Sequence, residues 1–197
     1  MSKQKEHILL DVDGVLLDYD RAFEVYYGLD KSIVETTYLY SERYGIDESM
    51  IIKMVDEFNQ SDAFSQIKPL PNAIQAISDL SKSGHEIFII SSCGLSKLTH
   101  DLRKNNLITV FGDVFSDFHL IDFHKTKLNE LTKYKNSEAF WVDDVYHHYI
   151  AGKNLGFNAI WKTTEHNKVM QSQPEHKNEN IQECWKDIKS LILSNSP

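Results

Sequence analysis

Short apolar runs of strand length alternate with longer stretches of helical spacing along this chain. Residues 7–11, 86–90, 139–142 and 159–161 are the strand-like runs. Between them, Ala73, Ile74, Ile77 and Leu80 recur at helical intervals in 72–82, where Gly84 supplies a stop. Residues 95–105, 126–134 and 149–155 also read as helices, the last ended by Gly156. Val110, Val114 and Phe115 suggest a short strand or turn. Strands alternating with helices through short connections predict an α/β fold, a doubly wound (Rossmann-like) parallel sheet.

One stretch breaks the alternation. After a hinge at 16–20, residues 21–66 turn helical, with Ala22, Val25, Tyr26 and Leu29 on one face and Met50, Met54, Val55 and Phe58 on another. Pro69 and Pro71 mark the return to alternation. The expected organisation is a core of 1–20 and 67–197 with a small helical cap insertion at 21–66. Residues 163–179 are polar, contain Pro174 and read as a mobile loop, before a final amphipathic helix carrying Ile181, Trp185, Ile188, Leu191 and Ile192. No internal repeat is visible.

Composition narrows the function classes. The 197 residues, 41% hydrophobic and 25% charged, suffice for one substantial core. A net charge of −8 argues against a nucleic-acid polymer as partner, though not against a small anion, since a local metal or lysine overrides the global sign. Cys93 and Cys184 lack metal-ligand spacing and point to a reducing cytoplasm. The first apolar run is broken by Asp11, so no leader is expected, and no stretch approaches a membrane span. Oligomeric state is not legible.

The chemistry sits where the strands end. The first runs into Asp11-Val12-Asp13-Gly14, the second into Ser91-Ser92, the third into Asp143-Asp144. Asp is depleted in strands and costly to bury unpaired. Acids and hydroxyls at several strand ends are how open α/β sheets assemble a site at their carboxyl edge.

These motifs, in this order, resemble those of the haloacid dehalogenase superfamily, specifically its Mg-dependent aspartyl phosphatases. The strand with Asp-x-Asp-Gly matches Asp11 to Gly14; the strand ending in Ser or Thr matches Ser91, with Ser92 the alternate. A Lys opening a helix matches Lys125, with Lys127 close behind. The acidic pair matches Asp143-Asp144. The resemblance implies Asp11 as nucleophile and Asp13 as general acid and base. It implies Mg²⁺ on Asp11, Asp144 and the Asp13 main-chain carbonyl, an oxygen set suited to that ion. Ser91 or Ser92 would bind phosphate, the Lys would offset its charge, and Asp143 would support the ligand. Many relatives carry a further Asp where this chain has His148, which is taken as a supporting residue. Lys125 is favoured because it leaves Leu128 and Leu131 to face the core.

The reading is a Mg-dependent phosphatase acting on a small phosphorylated metabolite. The cap, rich in aromatics at Tyr19, Tyr26, Tyr27, Tyr38, Tyr40 and Tyr44 with Phe23, Phe58 and Phe64, would set the substrate. Those rings fit a core, or a platform for a flat leaving group such as a nucleobase. A phosphomutase and a silent binding module on the same fold are the alternatives. A dehalogenase is disfavoured, since those relatives lack the second Asp of the first motif.

Overall fold

The computed structural model describes residues 7–30, 37, 39–123, 125–135 and 137–195. Tyr38 and the 31–36 portion of the expected cap lie outside them. In chain order the elements are β1 (His7–Leu10), α1 (Tyr19–Tyr27), α2 (Tyr40–Tyr44), α3 (Glu48–Asn59), α4 (Ala73–Lys82), β2 (Glu86–Ser92), α5 (Lys97–Phe111), β3 (Phe115–Ile121), α6 (Leu128–Thr132), β4 (Phe140–Asp143), α7 (Tyr146–Asn154), β5 (Asn158–Lys162), α8 (Lys168–Gln171), β6 (Ile181–Gln182) and α9 (Trp185–Asn195). Two 3-10 turns, Asp62–Gln66 and Pro174–His176, complete them.

The six strands form one parallel sheet in the order β3-β2-β1-β4-β5-β6. Both faces are apolar because successive side chains alternate across a strand. Ile8 and Leu10 join Ile87, Ile89, Phe140 and Val142 in one buried layer, whereas Leu9 joins Ile90, Trp141 and Trp161 in the other. α4, α5 and α9 contribute Ile77, Leu107 and Ile188 to the first layer; α6 and α7 contribute Leu131 and Tyr149 to the second. The fold is the doubly wound α/β class that the alternation predicts.

The chain leaves β1 toward β2 on one side and reaches β4 on the other, so the switch point lies at the carboxyl ends of β1 and β4. That reversal opens a crevice. Phe23, Phe58 and Phe64, from the helical stretch after β1, are fully buried in the same layer as Ile8 and Leu10. The rings of that stretch are therefore largely core.

Several element boundaries depart from expectation. The supposed hinge at 16–20 is a packed turn, with Leu16 and Leu17 fully buried and α1 already begun at Tyr19. β3 is a seven-residue edge strand, masked in the sequence by exposed Ser116 and Asp117 and by His119. The stretch 163–179 is structured rather than mobile: it holds α8 and a 3-10 turn, and it buries Asn167, Gln171 and His176. The last helix begins at Trp185, because Ile181 is taken into β6.

Candidate active site

Asp11 follows β1 directly, and its N–H donates to the Val142 carbonyl at 3.0 Å, extending the β1–β4 ladder by one residue. The chain then turns tightly: the Leu16 and Leu17 amides both donate to the Val12 carbonyl, at 2.7 and 2.9 Å. Trp185 of α9 clamps the turn from behind, its Nε1 donating to the Val15 carbonyl at 2.7 Å. The buried valines and leucines of this segment fix it to the core while its acids face the crevice.

Gly14 has φ +74°, and a Cβ there would stand 2.3 Å from Asp144 Oδ2. Only glycine permits this backbone to lie against the Asp144 carboxylate. Gly14→Ala should therefore displace Asp144 and strain the turn by ~1–3 kcal/mol. Its expected signature is loss of Mg²⁺-dependent thermal stabilisation, read by titrating the ion against the melting temperature.

Asp143 and Asp144 end β4. Oxygens of Asp11, Asp143 and Asp144 lie within 4.8 Å of one another, and all three residues are buried. The Asp144 carbonyl is pinned by Trp161 Nε1 at 2.9 Å and Asn167 Nδ2 at 2.8 Å. Asp143 is fully engaged: Lys127 Nζ reaches Oδ2 at 2.8 Å, the Val145 N–H donates to Oδ1 at 2.7 Å, and His148 Nδ1 stands 3.4 Å from Oδ2. α7, which carries His148, approaches β4 closely because Gly152 leaves room for the Trp141 ring.

Lys127, not Lys125, serves this cluster. Its Nζ lies 2.7 Å from Asp11 Oδ1 as well as on Asp143, and the residue is buried, while Lys125 is exposed. Leu131 is the inward position of α6 and Leu128 is exposed; a residue four before Leu131 shares its face, which selects Lys127. The expectation that both leucines face the core mis-set the phase. Between the serines, Ser92 lines the crevice; Ser91 is buried and does not. Both Oγ atoms lack a hydrogen-bond partner.

Asp13 lines the same cavity and is held by Arg103 of α5, whose Nη2 lies 2.7 and 2.6 Å from its two carboxylate oxygens. Arg103 is fully buried and stacks on Phe64, 4.1 Å from the ring centroid. Sequence reading passed over this arginine. Its one signal was its place on the α5 face shared with buried Thr99, Asn106 and Leu107. His166, beyond β5, was also missed; its Nε2 stands 3.3 Å from Asp144 Oδ2.

The electrostatics follow from placing several acids around one ammonium. Burial pushes Asp11 up to about 6 against the pull of Lys127, with Asp143 and Asp13 adding to the rise. Asp144 is pushed well above its ordinary value by burial and by Asp143 and Asp11. Asp143 is also buried, but Lys127 and His148 outweigh that and bring it down to about 2. Burial raises Asp13, with Arg103 opposing. Two buried carboxylates carrying excess negative charge, beside a third already neutralised, form a receptor for a hard cation. The oxygens present fit Mg²⁺: Asp11 and Asp144 supply carboxylates.

A parallel sheet with acids and a lysine gathered at its switch point has the layout of an α/β enzyme site. The chain belongs to the haloacid dehalogenase-like hydrolase family, whose sequence model matches residues 8–162. Among curated proteins it is similar to an uncharacterized 32.4 kDa protein of the Gp30-rIII intergenic region of Enterobacteria phage T4. Identity there is 26% over 155 residues, or 73% of this chain and 55% of the phage protein, so the chain spans little more than half of that relative. Among solved structures, a haloacid dehalogenase-like hydrolase from Streptococcus pneumoniae superposes with TM-score 0.67 at 13% identity, covering 96% of this chain and 99% of that one. D,D-heptose 1,7-bisphosphate phosphatase from Burkholderia thailandensis gives 0.58 at 17% identity, covering 97% and 100%. L-2-haloacid dehalogenase from Xanthobacter autotrophicus gives 0.57 at 12% identity, covering 97% and 99%. At these identities the structural matches speak to the fold. Among the described residues, no helix is long and apolar enough to cross a membrane.

Proposed function

We propose that this hydrolase is a Mg²⁺-dependent phosphomonoesterase acting on a small phosphorylated metabolite in a reducing cytoplasm, through a phosphorylated Asp11. The observation that carries the reading is the convergence of Asp11 and Asp144 carboxylates beside Lys127 at the crevice floor. Asp11, Asp144 and the Asp13 main-chain carbonyl would hold the ion. Bound there, it supplies positive charge that shields an attacking carboxylate from the phosphoryl oxygens.

The residues divide the work. A carboxylate oxygen of Asp11 attacks phosphorus and the ester P–O bond breaks, its electron pair leaving on the alcohol oxygen. Asp13 gives that oxygen a proton, then accepts one from the water that releases phosphate and restores Asp11. Arg103 fixes the Asp13 carboxyl in place while burial favours its protonated form. Lys127 keeps Asp11 ionised for attack, and Ser92 offers its unpartnered hydroxyl to a phosphoryl oxygen. The described helices of 21–66, with Tyr40, Ile51 and Val55 in the cavity wall, act as the cap.

Asp13 also favours ester cleavage over carbon–halogen cleavage. A departing alkoxide needs a proton and a halide does not, so an acid held beside Asp11 has work only in the first case. Phosphate release from a panel of metabolite monoesters, run with Mg²⁺ and with chelator, tests the proposal. Release that depends on Mg²⁺ is expected; rates unchanged by chelation would contradict it, and accumulation of an isomer without free phosphate would make it a mutase.

A further inference from the structure

The cavity over the carboxylates has two unlike halves. One holds Asp11, Asp13, Asp144, Lys127 and Ser92, with His148 and His166 beside the acids; the other is walled by Tyr19, Leu39, Tyr40, Ile51, Val55 and Phe123. We propose that the second half selects the leaving group, admitting phosphate esters of single-ring aromatic alcohols and rejecting those of polyols such as sugars. This deepens the phosphomonoesterase reading and rests on it.

The polar side-chain groups of Tyr19, Tyr40, Asn59 and Asp20 on that side already have protein partners. The Tyr19 hydroxyl donates to Asn59 Oδ1 at 2.8 Å, and Asn59 Nδ2 donates to the Cys93 carbonyl at 3.1 Å. The Tyr40 hydroxyl donates to Asp20 Oδ1, and Arg43 Nη1 takes Asp20 Oδ2 at 2.8 Å. Against its burial, His166 first, then Arg43 and Tyr40, hold Asp20 down to about 2, so the carboxylate stays ionised and occupied. What faces the cavity is therefore ring face and branched aliphatic carbon. Among the described lining residues Lys127 is the sole ammonium and there is no guanidinium, and Lys127 is committed to Asp11 and Asp143. Among the described residues that wall that half, no cationic side chain is left for a second anionic group and no unpartnered side-chain polar atom for a run of hydroxyls.

Size and cost give the choice its magnitude. An apolar cavity of roughly 150 Å³ takes benzene. The cavity here measures about 320 Å³, enough to seat a ring of that size beside the phosphoryl group. A hydroxyl carried into that half loses water and gains no partner, at a cost near tenfold in affinity for each. Sugars carry several, whereas a phenyl ring gains contact with Tyr19, Tyr40 and Phe123.

The test compares benzyl phosphate with glucose 6-phosphate, both esters of primary alcohols, so that the bond broken is comparable. Benzyl phosphate should show a kcat/KM higher by ~10²-fold or more, from at least two stranded hydroxyls. Ile51→Asn, which puts a polar group into the apolar wall, should narrow that ratio at least about tenfold. Similar turnover of both esters, or faster turnover of the sugar phosphate, overturns the inference and leaves the phosphomonoesterase reading standing. If neither is turned over, the panel above decides the phosphomonoesterase reading, and binding to the intact Mg²⁺-loaded protein, measured by calorimetry, decides the selectivity. Benzylphosphonate held at least ~10-fold more tightly than methylphosphonate supports an aromatic-selecting cavity; equal affinity rejects it.

Discussion

Asp11→Asn is expected to lower phosphate release by about 10⁴-fold or more, the scale of losing a covalent nucleophile. The two side chains have nearly the same shape, so the variant removes the proposed nucleophile and anionic ligand with little change in packing. It should fold. Asp11 is one of the acids that raise Asp144, and Lys127 keeps its 2.8 Å contact with Asp143 when Asp11 is neutralised. Without Mg²⁺ the variant should therefore be at least as stable as the parent, since a buried like-charge repulsion has been removed. Phosphate release assayed beside chelator-treated thermal denaturation checks both halves. Activity that persists near wild type would move the nucleophile elsewhere.

Lys127→Met should produce the largest loss of stability of any single change in the site. The ammonium is buried and is the principal compensation for Asp11 and Asp143, at 2.7 and 2.8 Å. Removing one member of a buried ion network costs ~3–5 kcal/mol because the remaining charge is left uncompensated. Activity should disappear with it, since Asp11 would no longer be held ionised. Lys125→Met, two residues away on an exposed side chain, should stay within about 0.5 kcal/mol of the parent. Urea denaturation of the pair separates them. Equal effects would mean that the network contributes nothing particular.

What the sequence disclosed follows from how local each signal is. The acids at 11, 13, 143 and 144 were legible because each sits directly after an apolar run, a pattern contained in a few residues. The doubly wound sheet was legible for the same reason. β3 was legible only at its start, Phe115, because an edge strand can carry Ser116, Asp117 and His119, and the apolar pattern that identifies a strand is then lost. The choice between Lys125 and Lys127 needed the phase of α6, which at five residues is too short to establish one by periodicity. The stretch 163–179 looked solvated because its buried residues are polar. Asn167 satisfies the carbonyls of Asp144 and Lys162, and Gln171 pairs with Thr163, contacts that no composition rule anticipates. The Arg103–Asp13 pair joins residues ninety positions apart. Only the folded chain brings them together, and with them the clamp on the proposed acid.

The proposed phosphoryl transfer to Asp11 is the step on which the rest turns. Acid quenching during turnover of the most active ester, followed by peptide mapping, reads it directly. A phosphoryl group on the peptide carrying Asp11, absent from Asp11→Asn, is the predicted result. Turnover with the label on His148 or His166 instead, or with no labelled protein at any time point, would contradict it.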